Sequence, residues 1–546
     1  MGFPTKVQLI NRKSSEQWYI NFPSAVAQAM EFNKGETVEW IIADKGHLIL
    51  SRQVVPPNPV DIEKKNARSD SLSQEFQAAL GVTESATSSL LCARRLREHM
   101  TSVLLSAERS TVTNLICTSG RQQQDWCADY RLYSKDRVDE SVLFDAVRAD
   151  VLEALPSGAP LVVAMDDTLA RKTGTRIHGV GWRRDPLGPP FQTNLIRAQR
   201  FVQFSAAWPL ENGQARMVPI GFFHAPSPPK APANPNDPQQ QALHREQKKQ
   251  MTLNARALAQ MRRLRAQCDD TRSIIFCGDG SYTNEEVVKN LPDNSVYIGR
   301  IRKDAKLHHL PDPQAAAATG RPPSYGACAP TPEELRTDES VPWQEVEAFA
   351  AGKKHRFRIK ILEPVLWRKG GASRPMKIVV VAPLAYRLRK GSKLLYRQPA
   401  YLICSDPAMA ISELLQNYLW RWGIEVNFRD QKTLIGVGEA QIRSESGNRS
   451  LPAVIVAAYA MLWTCALGMR KRGSQLPLLQ PPKWRQPRRD PNELFSTGDL
   501  LRALRLETWS HALRPGTFYD FMNTKASLSK CEKPSPCLAS VLFHAA

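Results

Sequence analysis

Four polar residues in the stretch 418–436 have spacings that would bring them together on a helix. Tyr418, Arg421, Glu425 and Lys432 follow one another at intervals of three, four and seven residues, which places them within about 60° on a helical wheel. An Arg–Glu pair four residues apart is common on exposed helix faces and contributes only about 0.2–0.5 kcal/mol. We call these four residues the helical stripe. They indicate a functional site only if other segments of the chain place further reactive or ligand-binding side chains beside them.

Two apolar segments that read as buried strands end abruptly in acidic residues. PLVVAMDDT contains Asp166 and Asp167 at its end, and SIIFCGDGS contains Asp279. Strand ends in α/β folds lie at the sheet edge where ligands enter, although aspartate also commonly begins turns. Together with Glu425 these residues supply the carboxylate oxygens that hard divalent cations bind, as phosphoryl transfer with two metal ions requires.

The charge balance predicts a polyanionic partner. The 546-residue chain has 74 Lys and Arg against 53 Asp and Glu, a formal charge of +21. Nucleic acid is the expected partner, and an acidic membrane surface is the alternative. The ten cysteines include no Cys-x-x-Cys pair, which argues against a zinc ribbon and favours a reducing cytosol. The chain has neither a Gly-rich nucleotide-binding motif nor a nucleophile elbow, which argues against ATPase and hydrolase functions.

One apolar run needs a separate interpretation. LPAVIVAAYAMLWTCALG, residues 451–468, is about long enough to cross a bilayer. It contains Pro452 and several alanines and directly follows the charged stripe. We expect a buried helix of the folded core, with a membrane span as the alternative. The N-terminus has no signal-peptide pattern, so a cytoplasmic protein without a membrane partner is expected.

The first fifty residues form a small unit of four short strands, with a helix expected at 23–32 between the second and third. The INFPSAV junction and the FNKGETVEW turn resemble the AbrB-like, swapped-hairpin DNA-binding domains, over residues 5–52. That resemblance implies a homodimer and DNA contacts through Arg12 and Lys13. An unrelated small β domain is the alternative.

Composition divides the rest of the chain. The resemblance implies an AbrB-like domain at 1–53, and the Pro-rich, charged stretch 54–73 is predicted to be a linker. Residues 74–155 have apolar positions every three to four residues, which predicts a helical module. Residues 156–470 hold the carboxylates, and 471–546 read as a basic C-terminal tail.

The stretch YLWRWGIEVNFRDQK matches Tyr-x2-Arg-x3-Glu-x6-Lys, the third motif of a class of DDE-type insertion-sequence transposases, which the chain resembles over about 90–470. The family's first motif, an apolar strand followed by Asp-x-Ser/Thr, selects Asp166, because Thr168 stands two residues later; Asp167 is the alternative ligand. Its second motif corresponds to FCGDGSYTNEEVVKNLPDNSVYIGRIRK, with Asp279 and either Arg300 or Arg302.

The resemblance implies an α/β fold, namely an RNase H-like core with a mixed sheet flanked by helices. A β insertion at about 305–408 precedes the glutamate, with strands expected in 355–364, 376–386 and 398–406. It also implies that Asp166, Asp279 and Glu425 hold two Mg²⁺ ions, with Mn²⁺ as a substitute. Tyr418, Arg421 and Lys432 would grip the phosphates that flank the cut.

These features lead us to expect a bacterial, nucleoid-associated transposase. It would cut the terminal inverted repeats of a transposon and join them to target DNA. The first alternative is a catalytically inactive, domesticated transposase that acts as a DNA-binding regulator. A nuclease or RNA-processing relative with the same fold is the second alternative.

Overall fold

The chain is described by a computed structural model in which it divides into two compact units, an N-terminal unit (1–69) and a main unit (70–546). The residues that the structure describes are 7–12, 15–20, 38–44, 47–52, 71–107, 109–185, 188–189, 192–228, 237–312, 323–387, 391–474, 476 and 495–512.

The N-terminal unit contains two antiparallel strand pairs. Its strands are β1 (Val7–Arg12), β2 (Ser15–Ile20), β3 (Val38–Asp44) and β4 (His47–Arg52). β1 pairs with β2, and β3 pairs with β4. The strands occur where alternation of apolar and polar residues predicts them. Arg12 is the last residue of β1, while Lys13 and the helix expected at 23–32 lie outside the described residues.

The main unit begins with a helical segment, and further helices surround the sheet. Side-chain N-caps begin several of them: Ser89 accepts a hydrogen bond from the Cys92 amide, and Asp139 accepts one from the Ser141 amide. The helices are α1 (Leu72–Ala79), α2 (Leu90–Leu105), α3 (Val112–Thr118), α4 (Cys127–Ser134), α5 (Glu140–Ala154), α6 (Pro238–Gln250), α7 (Leu253–Ala266), α8 (Glu285–Lys289), α9 (Pro332–Thr337), α10 (Ile411–Trp420), α11 (Trp422–Thr433), α12 (Glu445–Lys471) and α13 (Thr497–Ala512).

The strands of the main unit form one large mixed sheet and a separate hairpin. They are β5 (Leu161–Arg171), β6 (Gly181–Arg184), β7 (Leu195–Pro209), β8 (Ala215–His224), β9 (Ile274–Gly278), β10 (Ser295–Arg300), β11 (Leu307–His308), β12 (Cys328–Ala329), β13 (Gln344–Ala350), β14 (Lys353–Trp367), β15 (Met376–Val381), β16 (Ala385–Tyr386), β17 (Leu395–Tyr396) and β18 (Ala400–Cys404).

The large sheet has the order β12-β11-β14-β15-β18-β10-β9-β5-β7-β6, with β8 paired to β7 and β13 to β14. β5, β9 and β10 are parallel, and the other pairs are antiparallel. A mixed sheet flanked by helices is the RNase H-like architecture that the sequence predicts, so the fold class is confirmed.

The strands expected in the β insertion are present, but they extend the central sheet. β18 pairs with β10, β15 with β18, and β14 with β15, all antiparallel. The edge of β10 would otherwise expose unpaired backbone groups. The insertion is therefore continuous with the sheet that carries the carboxylates.

The two faces of the sheet pack against different helices. Along β5, Val163 and Met165 belong to the larger apolar core, which includes α12. Val162 and Ala164 belong to a second core with residues of α10 and α11, among them Leu414. This alternation is the period-two pattern of a strand buried on both faces.

Helix α12 contains the apolar run 451–468 that raised the question of a membrane span. By length and composition α12 could cross a membrane, but 94% of its most apolar window is buried inside the protein. It packs against α5 and β8. The apolar run therefore forms a core helix of the main unit, as the sequence analysis expects.

The segment interpreted as a basic tail, 471–546, contains a helix that the sequence analysis did not predict. Within α13, the Arg505 guanidinium donates to the Leu104 carbonyl at 3.0 Å. The Thr497 hydroxyl donates to the Asp430 carboxylate at 2.6 Å. Helix α13 of this segment therefore packs against α2 and α11, and most of the basic stretch 471–489 lies outside the described residues.

A buried histidine makes the stability of the main unit depend on pH. His224, at the end of β8, lies against Phe201 and has its ring centroid 5.9 Å from that of His178. Burial, reinforced by the charges of His178 and Arg256, lowers the pKa of His224 to about 4. The unfolded chain, with a His pKa near 6.5, binds a proton more readily.

We expect the main unit to lose stability as the pH falls from 7 towards 4, because protonation favours the unfolded chain in this window. The contribution of His224 to this loss is on the order of 3 kcal/mol at the low end. His224→Gln should flatten the dependence of Tm on pH, measured by thermal melts. His309→Gln, at an exposed position, is the matched control. Parallel profiles for wild type and His224→Gln would contradict the assignment.

Candidate active site

The sheet register brings two of the predicted carboxylates next to each other. β5 and β9 are parallel, with Leu161 opposite Ile274 and Ala164 opposite Cys277. Continued two residues beyond this last pair, the same offset places Asp166 beside Asp279, whose charge acts on Asp166. Their separation in sequence, 279 − 166 = 113, equals the offset of the two strands. Neighbouring strands lie about 4.8 Å apart, so this offset places the two residues side by side, with Asp279 just past the end of β9. β5 does not end at the aspartates, as the sequence predicts, but continues to Arg171 because its later residues stay paired with β7.

Strand alternation separates Asp166 from Asp167. Asp166 continues the β5 face that carries Val162 and Ala164, which is the face covered by α10 and α11. Asp167 points to the opposite face, where its carboxylate lies 3.2 Å from Nε of Arg200. The side chains of the two adjacent aspartates thus lie on opposite faces of the sheet.

A tight turn holds Asp279 directly after β9. The carboxylate accepts hydrogen bonds from the amide and the hydroxyl of Ser281, at 2.9 and 2.8 Å. Gly278 precedes it, and a Cβ at this position would lie 2.5 Å from the Tyr297 hydroxyl. Close packing therefore favours glycine at position 278. The absence of a side chain there lets the backbone that leads to Asp279 stay close to its neighbours in the sheet.

The stretch that the sequence predicts as one helix consists of two. α10 ends at Trp420 and α11 begins at Trp422, and Arg421 forms the junction with φ −49° and ψ −34°. Because the junction residue keeps a right-handed helical backbone, the side chains on either side of it retain nearly helical spacing. Tyr418, Arg421 and Glu425 therefore remain on one side of the two helices despite the junction.

Arg421 links the helical stripe to the strand carboxylates. One guanidinium nitrogen donates to Asp166 at 3.1 Å and the other to Glu425 at 3.1 Å. The guanidinium also lies 5.8 Å from the centroid of the Tyr418 ring. Three of the four stripe residues and the first strand aspartate thus meet at one point.

Burial makes it energetically costly for the carboxylates of this cluster to be charged. Burial raises the pKa of Asp166 to about 7; Arg421 opposes the shift, and the negative charge of Asp279 adds to it. Two carboxylates side by side at a partly buried edge repel each other and favour a bound cation or proton. A positive charge beside the carboxylates is therefore favourable, and the Arg421 guanidinium supplies part of it.

Tight packing fixes α11, and with it Glu425, against β8. A Cβ on Gly423 would lie 2.5 Å from Cγ of Met217, so the helix approaches the strand more closely than a larger residue would permit. On the buried side of α11, Asn427 accepts hydrogen bonds from Arg216 and Tyr459, both at 3.0 Å. This buried network was not predicted from sequence, and no local pattern indicates it.

The other predicted DNA-binding residues of the main unit differ in their exposure and in how near they lie to the carboxylates. Arg300 ends β10 and, by the β9–β10 register, stands beside Asp279. Arg302 is exposed and forms an ion pair with Asp304 at 2.9 Å. Lys432 is exposed near the end of α11. Of the two alternatives that the sequence left open, Arg300 is thus the one next to the carboxylates.

A further charged group lies on the opposite face, around Asp167, and was not predicted. Arg200 pairs with Asp167, and the charge of Asp167 also acts on Arg183 of β6. Tyr282 is fully buried there, and burial together with the negative charge of Asp167 raises its pKa. Asp167 therefore pairs with Arg200 whereas Asp166 pairs with Arg421, and the charge of Asp279 acts on both aspartates.

The donor chemistry of Asp166, Asp279 and Glu425 suits hard divalent cations, which bind carboxylate oxygens. Burial and the charge of Asp279 raise the pKa of Asp166 while the Arg421 guanidinium opposes the shift, so a further cation beside these carboxylates would stabilise their charged forms. Among the described residues, however, no group of three or more His, Cys, Asp or Glu side chains is arranged to hold a metal ion. In this conformation the Arg421 guanidinium lies between Asp166 and Glu425.

Comparison with protein families gives a match. Residues 91–374, slightly more than half of the 546-residue chain, match the family model of the DDE superfamily endonucleases. The matched range includes Asp166 and Asp279 and ends before Glu425. A comparison with curated proteins finds no match.

Proposed function

Because the chain belongs to the DDE superfamily of endonucleases, we propose that it is a transposase that cuts transposon ends and joins them to target DNA. The observation that carries this proposal is the meeting of Asp166, Asp279 and the Arg421–Glu425 pair at one sheet edge. These residue types are the ones that phosphoryl transfer on DNA requires.

In the proposed site, Asp166, Asp279 and Glu425 hold two Mg²⁺ ions, for which Mn²⁺ can substitute. When bound, the ions activate the attacking oxygen and neutralise the charge that develops on the phosphate. The face that Asp166 shares with α11 supports Asp166, rather than Asp167, as the first ligand. Release of Glu425 from Arg421 would accompany assembly of the site.

The remaining stripe residues are proposed to position the DNA. Arg421, freed from the carboxylates, can donate two parallel hydrogen bonds to a phosphate. Tyr418 supports the guanidinium through its ring, and Lys432 adds an exposed cation on the same helix. Arg300 lies beside Asp279 and is proposed to contact the strand being cut, with Arg302 as an outer contact.

The proposed partners are the terminal inverted repeats of the element and target DNA, in keeping with the net charge of +21. The N-terminal unit is proposed to be AbrB-like and to pair two chains into a homodimer, with Arg12 and Lys13 near DNA. The proposed location is the cytoplasm, in association with the nucleoid.

The test is a cleavage assay with purified protein, Mg²⁺ and labelled DNA that carries the ends flanking this gene. We expect nicking at the ends by the wild type and its loss, by about 10³-fold or more, in Glu425→Gln. Glu413→Gln, at an exposed position in the first turn of α10, is the matched control and should cut normally. Binding to the ends without cleavage by the wild type would instead indicate a DNA-binding regulator.

A further inference from the structure

A short hairpin stands outside the large sheet. β16 and β17 pair antiparallel with each other, with Ala385 opposite Tyr396 and Tyr386 opposite Leu395, and they form a separate two-stranded sheet. Tyr386 is 37% exposed and Tyr396 is 65% exposed. Most of the Tyr396 side chain is therefore exposed, and packing within the protein does not explain an aromatic residue at that position.

The charge of this hairpin is entirely positive. Residues 383–399 include five Arg and Lys and no Asp or Glu. Arg387, Lys393 and Arg397 are exposed, and the Arg397 guanidinium lies 5.4 Å from the centroid of the Tyr386 ring. Arg387 donates a hydrogen bond to the Ser392 carbonyl across the turn. The hairpin thus presents cations and aromatic rings together, and a hydrogen bond within the hairpin helps to hold its two strands.

The sheet topology places the hairpin at the edge where the carboxylates lie. It connects the end of β15 to the start of β18, and both strands are antiparallel to their neighbours in the sheet. Arg300, at the end of β10, pairs with Leu402 of β18, and Leu402 pairs with Val379 of β15. From Asp279 to the base of the hairpin is therefore two to three strand spacings, or about 10–15 Å.

We propose that this hairpin is a DNA-binding arm that contacts the duplex beside the phosphate being cut. The proposal rests on the proposed function, since it takes the DNA held at Asp279 as the ligand. At a rise of about 3.4 Å per base pair, the arm would meet the duplex about three to four base pairs from the cut. Lys393 and Arg397 would contact phosphates, and the tyrosines would contact sugars or base edges.

The charge pattern favours DNA over a protein partner. Protein interfaces are typically depleted of lysine at their centres, whereas phosphate contacts use Lys and Arg with polar and aromatic neighbours. A two-stranded ribbon is also narrow enough to enter the major groove. If the arm bound an acidic protein instead, DNA affinity and its salt dependence would be unchanged in the arm variant, which is the competing outcome of the test.

The test compares two double variants of the full-length protein. Lys393→Ala with Arg397→Ala removes two cations of the arm. Arg368→Ala with Lys369→Ala removes one arginine and one lysine from exposed positions in the turn before β15, at the other end of that strand. Arg368 also lies near a tyrosine ring, Tyr325, at 5.8 Å, so the control matches the arm in chemistry.

Affinity is measured by anisotropy for a labelled duplex carrying the element end, over a series of salt concentrations without metal. The arm variant should reduce the slope of log K against log salt by about two, because each lost phosphate contact removes about 0.9. The control variant should keep the wild-type slope. In a second series, the duplex is shortened to end about two base pairs beyond the cut, and the arm variant and the wild type should then bind alike.

The two proposals can fail separately. A wild-type slope in the arm variant would overturn the DNA-binding arm, and cleavage by the wild type would still support the transposase. A reduced slope in a protein that never cuts would support the arm and contradict the transposase. Loss of affinity that is equal on long and short duplexes would also overturn the arm, because its proposed contacts lie beyond the short duplex.

Discussion

Asp166→Asn is expected to lower metal-dependent DNA cleavage by about 10³-fold or more. The substitution keeps the shape of the side chain and removes the negative charge that would bind a cation, which costs several kcal/mol of transition-state stabilisation. The offset between β5 and β9 places Asp166 beside Asp279, and Asp166 lies 3.1 Å from a nitrogen of Arg421. The measurement is the single-turnover rate of nicking on end-containing DNA at saturating protein.

The neighbouring residue provides a closely matched control. Asp167→Asn makes the same chemical change one position along β5, on the opposite face, where Asp167 pairs with Arg200. We expect this variant to retain cleavage within about tenfold of the wild type, because it alters a supporting ion pair and leaves the carboxylates facing α11 in place. Equal losses in the two variants, or a larger loss in Asp167→Asn, would show that the face assignment is wrong.

Trp463→Ala is expected to lower the free energy of unfolding of the main unit by about 3–5 kcal/mol, as is typical of a fully buried tryptophan. Trp463 is 0% exposed in the middle of α12. Its ring stacks on Phe495, with centroids 5.5 Å apart, and the Arg216 guanidinium lies 3.8 Å from its centroid. The loss would be measured by urea unfolding and by Tm.

A tryptophan at the surface is the control for this change. Trp182 of β6 is 69% exposed, and Trp182→Ala should change the free energy of unfolding by no more than about 0.5 kcal/mol. If both variants unfold at the wild-type urea concentration, α12 does not form the core of the main unit. Loss of stability in Trp463→Ala alone would agree with a buried core helix in place of a membrane span.

Local pattern was sufficient for the elements that approach the carboxylates. Apolar runs before aspartate predict β5 and β9, because a buried strand needs continuous apolar residues. The prediction that the strand ends at the aspartate is correct for β9 and wrong for β5, which continues to Arg171. The apolar run of α12 was long enough to predict a buried helix. These features depend on residues near one another in sequence, so the sequence alone reveals them.

Pairing between distant segments was not predictable in the same way. The strands expected in the β insertion occur, yet their union with β10 in one sheet depends on backbone hydrogen bonds between residues about one hundred positions apart. The packing of α13 onto the Leu104 carbonyl and Asp430 likewise depends on contacts with distant residues. The backbone groups that make such pairs are the same at every residue, so composition carries little information about them.

The sequence by itself determined the types of residue at the candidate site, the charge of the chain and the strands that carry Asp166 and Asp279. Only the tertiary structure decided that Asp166 faces α11 while Asp167 faces Arg200, and that Arg421 lies between Asp166 and Glu425. The reason is that a strand presents successive side chains to opposite faces. Which face meets the helix depends on packing across the whole sheet.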